Sequence, residues 1–258
     1  MPTLLFDPLF YAAAIPAVVL VGLSKGGLGG AMGFAGVPLM ALVVSPVQAA
    51  AILLPILLLM DLVSLWTWRG VYDRSLLRSM MPGSIVGIGI GWITAAMVTA
   101  PMIRFIVGAV AIVFVGRWVF MKIRDRLPQP KKPNLVAASI WGTVTGFTSF
   151  VAHVGGPPFQ FYALPLRLDP KVLTGTSVIF FAITNAVKLV PYSMLGQFDA
   201  TNLLAAAVLM PLAPVATLAG AWVVRRLRPE TFYNLSYATV GLIAIKLVYD
   251  GVIDWLAL

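Results

Sequence analysis

The chain has 258 residues, 60% of them apolar and only 10% charged, with a net charge of +9 and no cysteine. Soluble domains carry about 25% charged residues, so this composition excludes an ordinary soluble fold and points to an all-α, polytopic helical membrane protein. The missing cysteines remove disulfides, thiolate metal sites and cysteine catalysis. No nucleic-acid-reading motif is present either, so the basic residues are assigned to topology and lipid headgroups rather than to nucleic acid.

Met1–Phe10 contains no Lys or Arg, unlike the basic first region of a standard signal peptide. Apolar segments follow at about 8–23, 31–44, 47–68, 79–98 and 102–121, and again at about 135–150, 157–166, 171–191, 202–224 and 231–249. Segments of about 20 residues cross the ~30 Å hydrocarbon core, whereas the first two of each set are shorter. The longest polar stretch, about 122–134, is too short for a soluble domain, so 1–258 is expected to be a single membrane domain.

The two sets read as copies, about 8–121 and 135–249, joined by the basic linker 122–134. Ser45-Pro46 precedes the third segment of one copy and Asp169-Pro170 that of the other, with Asp61 and Asn185 at the same distance after each proline. Gly70-Val-Tyr-Asp73 matches Gly196-Gln-Phe-Asp199, and Met81-Pro82 matches Met210-Pro211.

Lys and Arg set the orientation. Arg69, Arg74 and Arg78, then Arg117, Lys122, Arg124, Arg126, Lys131 and Lys132, then Arg167 and Lys171, then Arg225, Arg226 and Arg228 fall on one side, and only Arg104 on the other. The linker is therefore expected in the cytoplasm and both termini in the periplasm. Copy one then runs outside to inside and copy two inside to outside, so the repeats are inverted. Each needs an odd number of crossings: three spanning helices plus a broken, re-entrant hairpin of two short helices.

Those hairpins hold the two glycine-rich interruptions, Gly22–Gly30 and Gly146–Pro158. Broken apolar segments in matching positions of two halves are the best sequence pointer to a transporter's binding site. Lys25 is expected at the first tip, about 16 residues from the outer face and too deep to snorkel; an ammonium there costs at least ~2.5–3.5 kcal/mol. It either attracts an anion or forms a structural ion pair, with Asp61 as the obvious partner, and both hold if substrate displaces the carboxylate. Gly26, Gly27, Gly29 and Gly30 are expected to present backbone N–H groups ahead of a new helix, an arrangement that favours anions; close helix packing is the alternative. Gly155 and Gly156, followed by Pro157 and Pro158, repeat the arrangement. The run lacks the Gly-Lys-Ser/Thr ending of a nucleotide P-loop.

His153, the only histidine, is a candidate for proton coupling or for an N–H donor to substrate, or simply bonds a carbonyl in the broken turn. Asp61, well inside an apolar segment, is the second proton-coupling candidate. Asn185 and Lys188, one turn apart, share a helix face as candidate substrate-binding residues, with snorkelling the alternative for Lys188. Lys246 reads as structural, and Ser24, Thr148, Ser149, Gln160, Thr174 and Ser177 as hydrogen-bonding or packing residues near the sites. One histidine and no cysteine leave no metal set, and no cofactor is expected.

The glycine-rich segment Gly22–Pro38 running into Ser45-Pro-Val-Gln-Ala-Ala-Ala51, the second Gly-Gly-Pro-Pro break and the basic linker between them resemble the sulfite exporter TauE/SafE family, also called the toluene sulfonate uptake permease family. The resemblance covers essentially the whole chain. It implies secondary transport of sulfite, sulfonates or related organosulfur anions across the bacterial inner membrane. The expected partners are a small anionic substrate, a coupling proton and membrane lipid, with a homodimer left open. The expected function is alternating-access transport with the site between the two hairpin tips, and not an enzyme. A passive anion channel, or a carrier for a cation, a metal or a carboxylate, is the alternative.

Overall fold

A computed structural model describes residues 3–27, 36–94, 100–124, 130–152, 154–194 and 199–256. Among them there are helices and turns and no strand. In chain order they are α1 (Pro8–Gly26), α2 (Gly36–Met40), α3 (Pro46–Thr67), α4 (Arg74–Ile93), α5 (Ala100–Ile123), α6 (Leu135–Ala152), α7 (Gly156–Ala163), α8 (Pro170–Met194), α9 (Ala200–Leu209), α10 (Leu212–Arg226) and α11 (Pro229–Leu256). Six stretches are long and apolar enough to cross a membrane, within α1, α3, α4, α5, α8 and α11. The chain is a multi-pass helical membrane protein.

Helix starts are set by side-chain caps. Ser45 Oγ accepts from Gln48 N at 3.2 Å and Asp169 Oδ1 from Lys171 N at 2.9 Å. Asp73 Oδ1 accepts from Leu76 N at 2.7 Å and Asp199 Oδ1 from Asn202 N at 2.9 Å. Asp7 and Asn134 open α1 and α6 in the same way. These oxygens satisfy the orphan N–H groups of the first turn. Ser45 and Asp169, and likewise Asp73 and Asp199, thus do the same local job.

Two expectations are corrected. The segment 202–224 is not one straight helix: α9 and α10 meet at Met210-Pro211 with a 48° bend. Proline lacks the N–H that would continue the ladder and crowds the preceding turn. The matching Pro82 sits inside an unbroken α4. Likewise α1 does not stop at about residue 23 but continues through Lys25 to Gly26, 19 residues in all. At 1.5 Å per residue it is about 28 Å long, enough to cross by length alone.

The chain divides into two compact units, Met1–Tyr72 with Thr174–Leu227 and Asp73–Leu173 with Arg228–Leu258. Each draws helices from both sequence copies. In the first unit α1 lies against α10: a Cβ on Gly26 would collide with the backbone of Thr217, Gly220 and Ala221, and one on Gly220 with the backbone of Leu23. In the second, α4 lies against α6 in the same manner, Gly83 and Gly87 meeting the backbone of Ser139 and Thr143, and Gly142 and Gly146 that of Met80 and Ser84. Hydrocarbon gives apolar side chains no drive to associate, so membrane helices pair through small residues that let backbones approach. Helix α5 packs on α11 with Gly108 against Leu247 and Val248, and turns Phe105, Ile106, Val113 and Phe120 outward, as a lipid-facing helix does.

Candidate functional site

The first unit buries a charged cluster. Lys25, in the last turn of α1, donates from Nζ to Asp61 Oδ1 of α3 at 2.5 Å. Asn185 of α8 donates from Nδ2 to the other carboxylate oxygen at 2.7 Å. Lys188, one turn further along α8, is 2% exposed and lies within electrostatic reach of both Lys25 and Asp61. The Phe181 ring stands 5.7 Å from Lys25 Nζ. Lys25, Lys188 and Asp61 sum to one formal positive charge, held where hydration is scarce and an unbalanced charge is costly.

Four of the residues singled out in the sequence therefore meet here. The Lys25–Asp61 pair was the alternative named for Lys25, and it is present. Asn185, at the same distance after Pro170 as Asp61 after Pro46, bonds to Asp61 itself. Lys188 does not snorkel: its side chain is enclosed by protein.

Gly26 and Gly27 follow a different geometry from the one expected. Gly26 closes α1 and Gly27 is its C-cap, with φ at +148° and its N–H turned back to Leu23 O and Ser24 O. These N–H groups belong to a helix C-terminus, the negative end of the dipole, and are consumed there. The carbonyls are held in turn. Ser64 Oγ donates to Lys25 O at 3.2 Å, Trp68 Nε1 to Gly26 O at 2.8 Å and Thr174 Oγ1 to Gly27 O at 3.4 Å. Arg225 locks the same corner, donating to Thr67 O at 2.6 Å with its guanidinium 5.2 Å from the Trp68 ring centroid. Gly29 and Gly30 lie outside the described residues.

Trp68 and Arg225 were missed by the sequence reading. Asp61, Ser64 and Trp68 fall at i, i+3 and i+7, one stripe of a helix. That spacing was the available signal.

In the second unit α6 continues through Gly146 to Ala152, so Gly146 lies inside a helix rather than in the interruption read from the sequence. Helix α7 starts at Gly156 after Gly155, with Pro157 and Pro158 in its first turn, and every residue of it is buried. Thr148 holds the approach, its Oγ1 donating to Val154 O at 3.2 Å and its carbonyl accepting from Val154 N at 3.1 Å. Gln160 is 4% exposed and its Oε1 has no hydrogen-bond partner. His153 lies outside the described residues. Among the described residues no group of three or more His, Cys, Asp or Glu could hold a metal.

The buried cluster of two lysines, one aspartate and one asparagine thus lies inside a multi-pass helical protein, and sequence comparison places the chain in a transporter family. The sulfite exporter TauE/SafE model matches residues 14–247. The chain belongs to that family. Family membership makes it a membrane transport protein. A curated relative from Cupriavidus necator, named as a probable sulfite/organosulfonate exporter TauE, is 25% identical over 191 residues, which are 73% of this chain and 71% of the relative. No solved structure matches the chain.

Proposed function

We propose that this TauE/SafE family member is a secondary active transporter of a small sulfur-containing oxyanion or organosulfonate in the bacterial inner membrane. The observation that supports it is the buried cluster of Lys25, Asp61, Asn185 and Lys188, two lysines against one carboxylate. An arriving anion competes with Asp61 for Lys25 and Lys188 and takes the amide N–H of Asn185, so substrate replaces an internal counter-charge instead of facing an empty dry site. Gly26 and Gly27 shape the end of the lysine helix, and Gly29, Gly30, Gly155, Gly156 and His153 are further candidates to line the substrate site. Asp61, released from Lys25, or His153 exchanges the coupling proton. The matched caps and matched small-residue pairings support an inverted duplication, the arrangement that lets two halves alternate access by rocking. The Lys and Arg distribution supports a cytoplasmic linker and periplasmic termini.

Flux of radiolabelled sulfite and a short sulfonate into proteoliposomes tests this. The expected result is saturable uptake that falls at least tenfold in Lys25→Ala and Lys188→Gln, with pH dependence altered in Asp61→Asn or His153→Gln. Flux unaffected by both lysine changes would remove the site. Unitary currents at fixed voltage would replace the carrier by a channel.

A further inference from the structure

The second unit carries a separate cationic pocket that the transport reading does not use. It has a volume of about 220 Å³ and is lined by Phe114, Arg117, Trp118, Met121, Lys131, Pro165, Arg167 and Tyr237. At ~30 Å³ per water that is room for about seven waters, the scale of a small polar headgroup. Three of the lining residues are cations and none is an acid. Asp169, the acid next along the chain, is occupied as the cap of α8, accepting from Lys171 N and Val172 N.

Three independent features mark the pocket as built. Its wall is an aromatic stack, Trp118 on Tyr237 with ring centroids 4.4 Å apart and planes 6° from parallel, and Tyr237 on Phe114 at 5.5 Å. Trp118 Nε1 is a buried donor without a hydrogen-bond partner, an arrangement that costs about 1–3 kcal/mol unless something accepts from it. Arg167 adopts φ 53°, the left-handed region that side chains with a Cβ avoid. Its guanidinium rests 4.9 Å from the Tyr233 ring centroid, and Lys131 N is tied to Pro165 O at 2.9 Å, so the linker's basic end is fastened to the same turn.

The level in the membrane follows from α5. Its apolar stretch ends at Ile123, so Arg117, Trp118 and Met121 occupy its last two turns, the end of a spanning helix where Trp and basic side chains concentrate. We propose that this pocket is a binding site for a phosphate group, presented by the headgroup of an anionic phospholipid. Arg117, Lys131 and Arg167 hold the oxygens, the Trp118 Nε1–H donates to one of them, and Met121 and Phe114 meet the first acyl carbons.

The test uses the full chain in detergent, titrated with phosphatidylglycerol, phosphatidylcholine, inorganic phosphate and sulfite. The readouts are melting temperature and bound lipid by native mass spectrometry. Phosphatidylglycerol is expected to stabilise and phosphatidylcholine not. Basic side chains near a membrane surface are worth about 1 kcal/mol each, so Arg117→Gln weakens the apparent affinity about fivefold and Arg117→Gln with Lys131→Gln about 25-fold. Trp118→Phe keeps the stack, loses the N–H and also weakens binding. Arg167→Gly, relieved of its backbone strain, melts no lower than wild type yet gains less from the lipid. Stabilisation by inorganic phosphate that the same changes remove assigns the site to a free phosphate and sustains its chemistry. Equal effects of the two lipids, or affinity unchanged in the exposed single variant Arg117→Gln, overturn the proposal. So does sulfite stabilisation lost in the double variant, which would put the pocket on the transport path.

Discussion

The two compact units share one packing device and differ in what they bury. In the first, α1 and α10 touch through Gly22, Gly26 and Gly220; in the second, α4 and α6 touch through Gly83, Gly87, Gly142 and Gly146. Around that common pairing the first unit encloses Lys25, Asp61, Asn185 and Lys188. The second encloses neutral polar groups such as Ser84, Thr145, Thr148 and Gln160, and among the described residues no charged side chain there is buried. The difference shows that a shared small-residue packing fixes how helices approach, while single side chains decide which unit can hold an ion. Asp61 and Asn185 stand at matched positions, yet one is a carboxylate and the other an amide, and they bond to each other.

The largest effect expected from breaking this comparison is at the charge. Asp61→Asn leaves Lys25 and Lys188 buried without their carboxylate and should cost about 3–5 kcal/mol, read as a fall in melting temperature of the purified protein. No single charge neutralisation in the second unit should match it.

Next come the shared contacts. Gly26→Ala and Gly146→Ala each drive a methyl into backbone of the facing helix. Both should destabilise by about 1–3 kcal/mol and by similar amounts, because the device is the same. Gly89→Ala and Gly116→Ala, with nothing within 4 Å of the added carbon, should be neutral or stabilising by up to about 1 kcal/mol. A large loss at these control positions would mean that something other than close helix approach governs the glycines.

Much of this was legible in the sequence. Ser45, Asp73, Asp169 and Asp199 could be picked out as duplicated landmarks because helix N-caps need a short polar side chain at a fixed place. Lys25 and Asp61 could be paired because a membrane interior leaves an ammonium few alternatives. The helical course of Gly22–Gly26 was not legible. Glycine both breaks helices and lets them pack, and only the presence of α10 opposite decides which. The enclosure of Lys188 was hidden for a similar reason: distance from a segment end suggests snorkelling, but the neighbours that cover it come from far away in sequence. The bend at Met210-Pro211 was obscured because its counterpart Pro82 sits in an unbroken helix.

A smaller effect sharpens the corner beside the cluster. Trp68→Phe removes the donor to Gly26 O and should cost about 1–2 kcal/mol, seen in melting temperature, with transport falling as the end of α1 loosens. Smallest of all, Gln160→Met replaces an amide whose Oε1 is unpartnered. It should leave stability within about 1 kcal/mol of wild type, in contrast to Asp61→Asn.

The central claim is that the first unit's excess positive charge holds the substrate anion in competition with Asp61. The most direct measurement is the dissociation constant for sulfite of the wild type, Lys188→Gln and Asp61→Asn, by calorimetry on the purified protein. The account predicts affinity at least tenfold weaker in Lys188→Gln, and equal or tighter in Asp61→Asn despite its lower stability. Binding abolished in Asp61→Asn and preserved in Lys188→Gln would contradict it, because a site of that kind is built around the carboxylate and takes a cation.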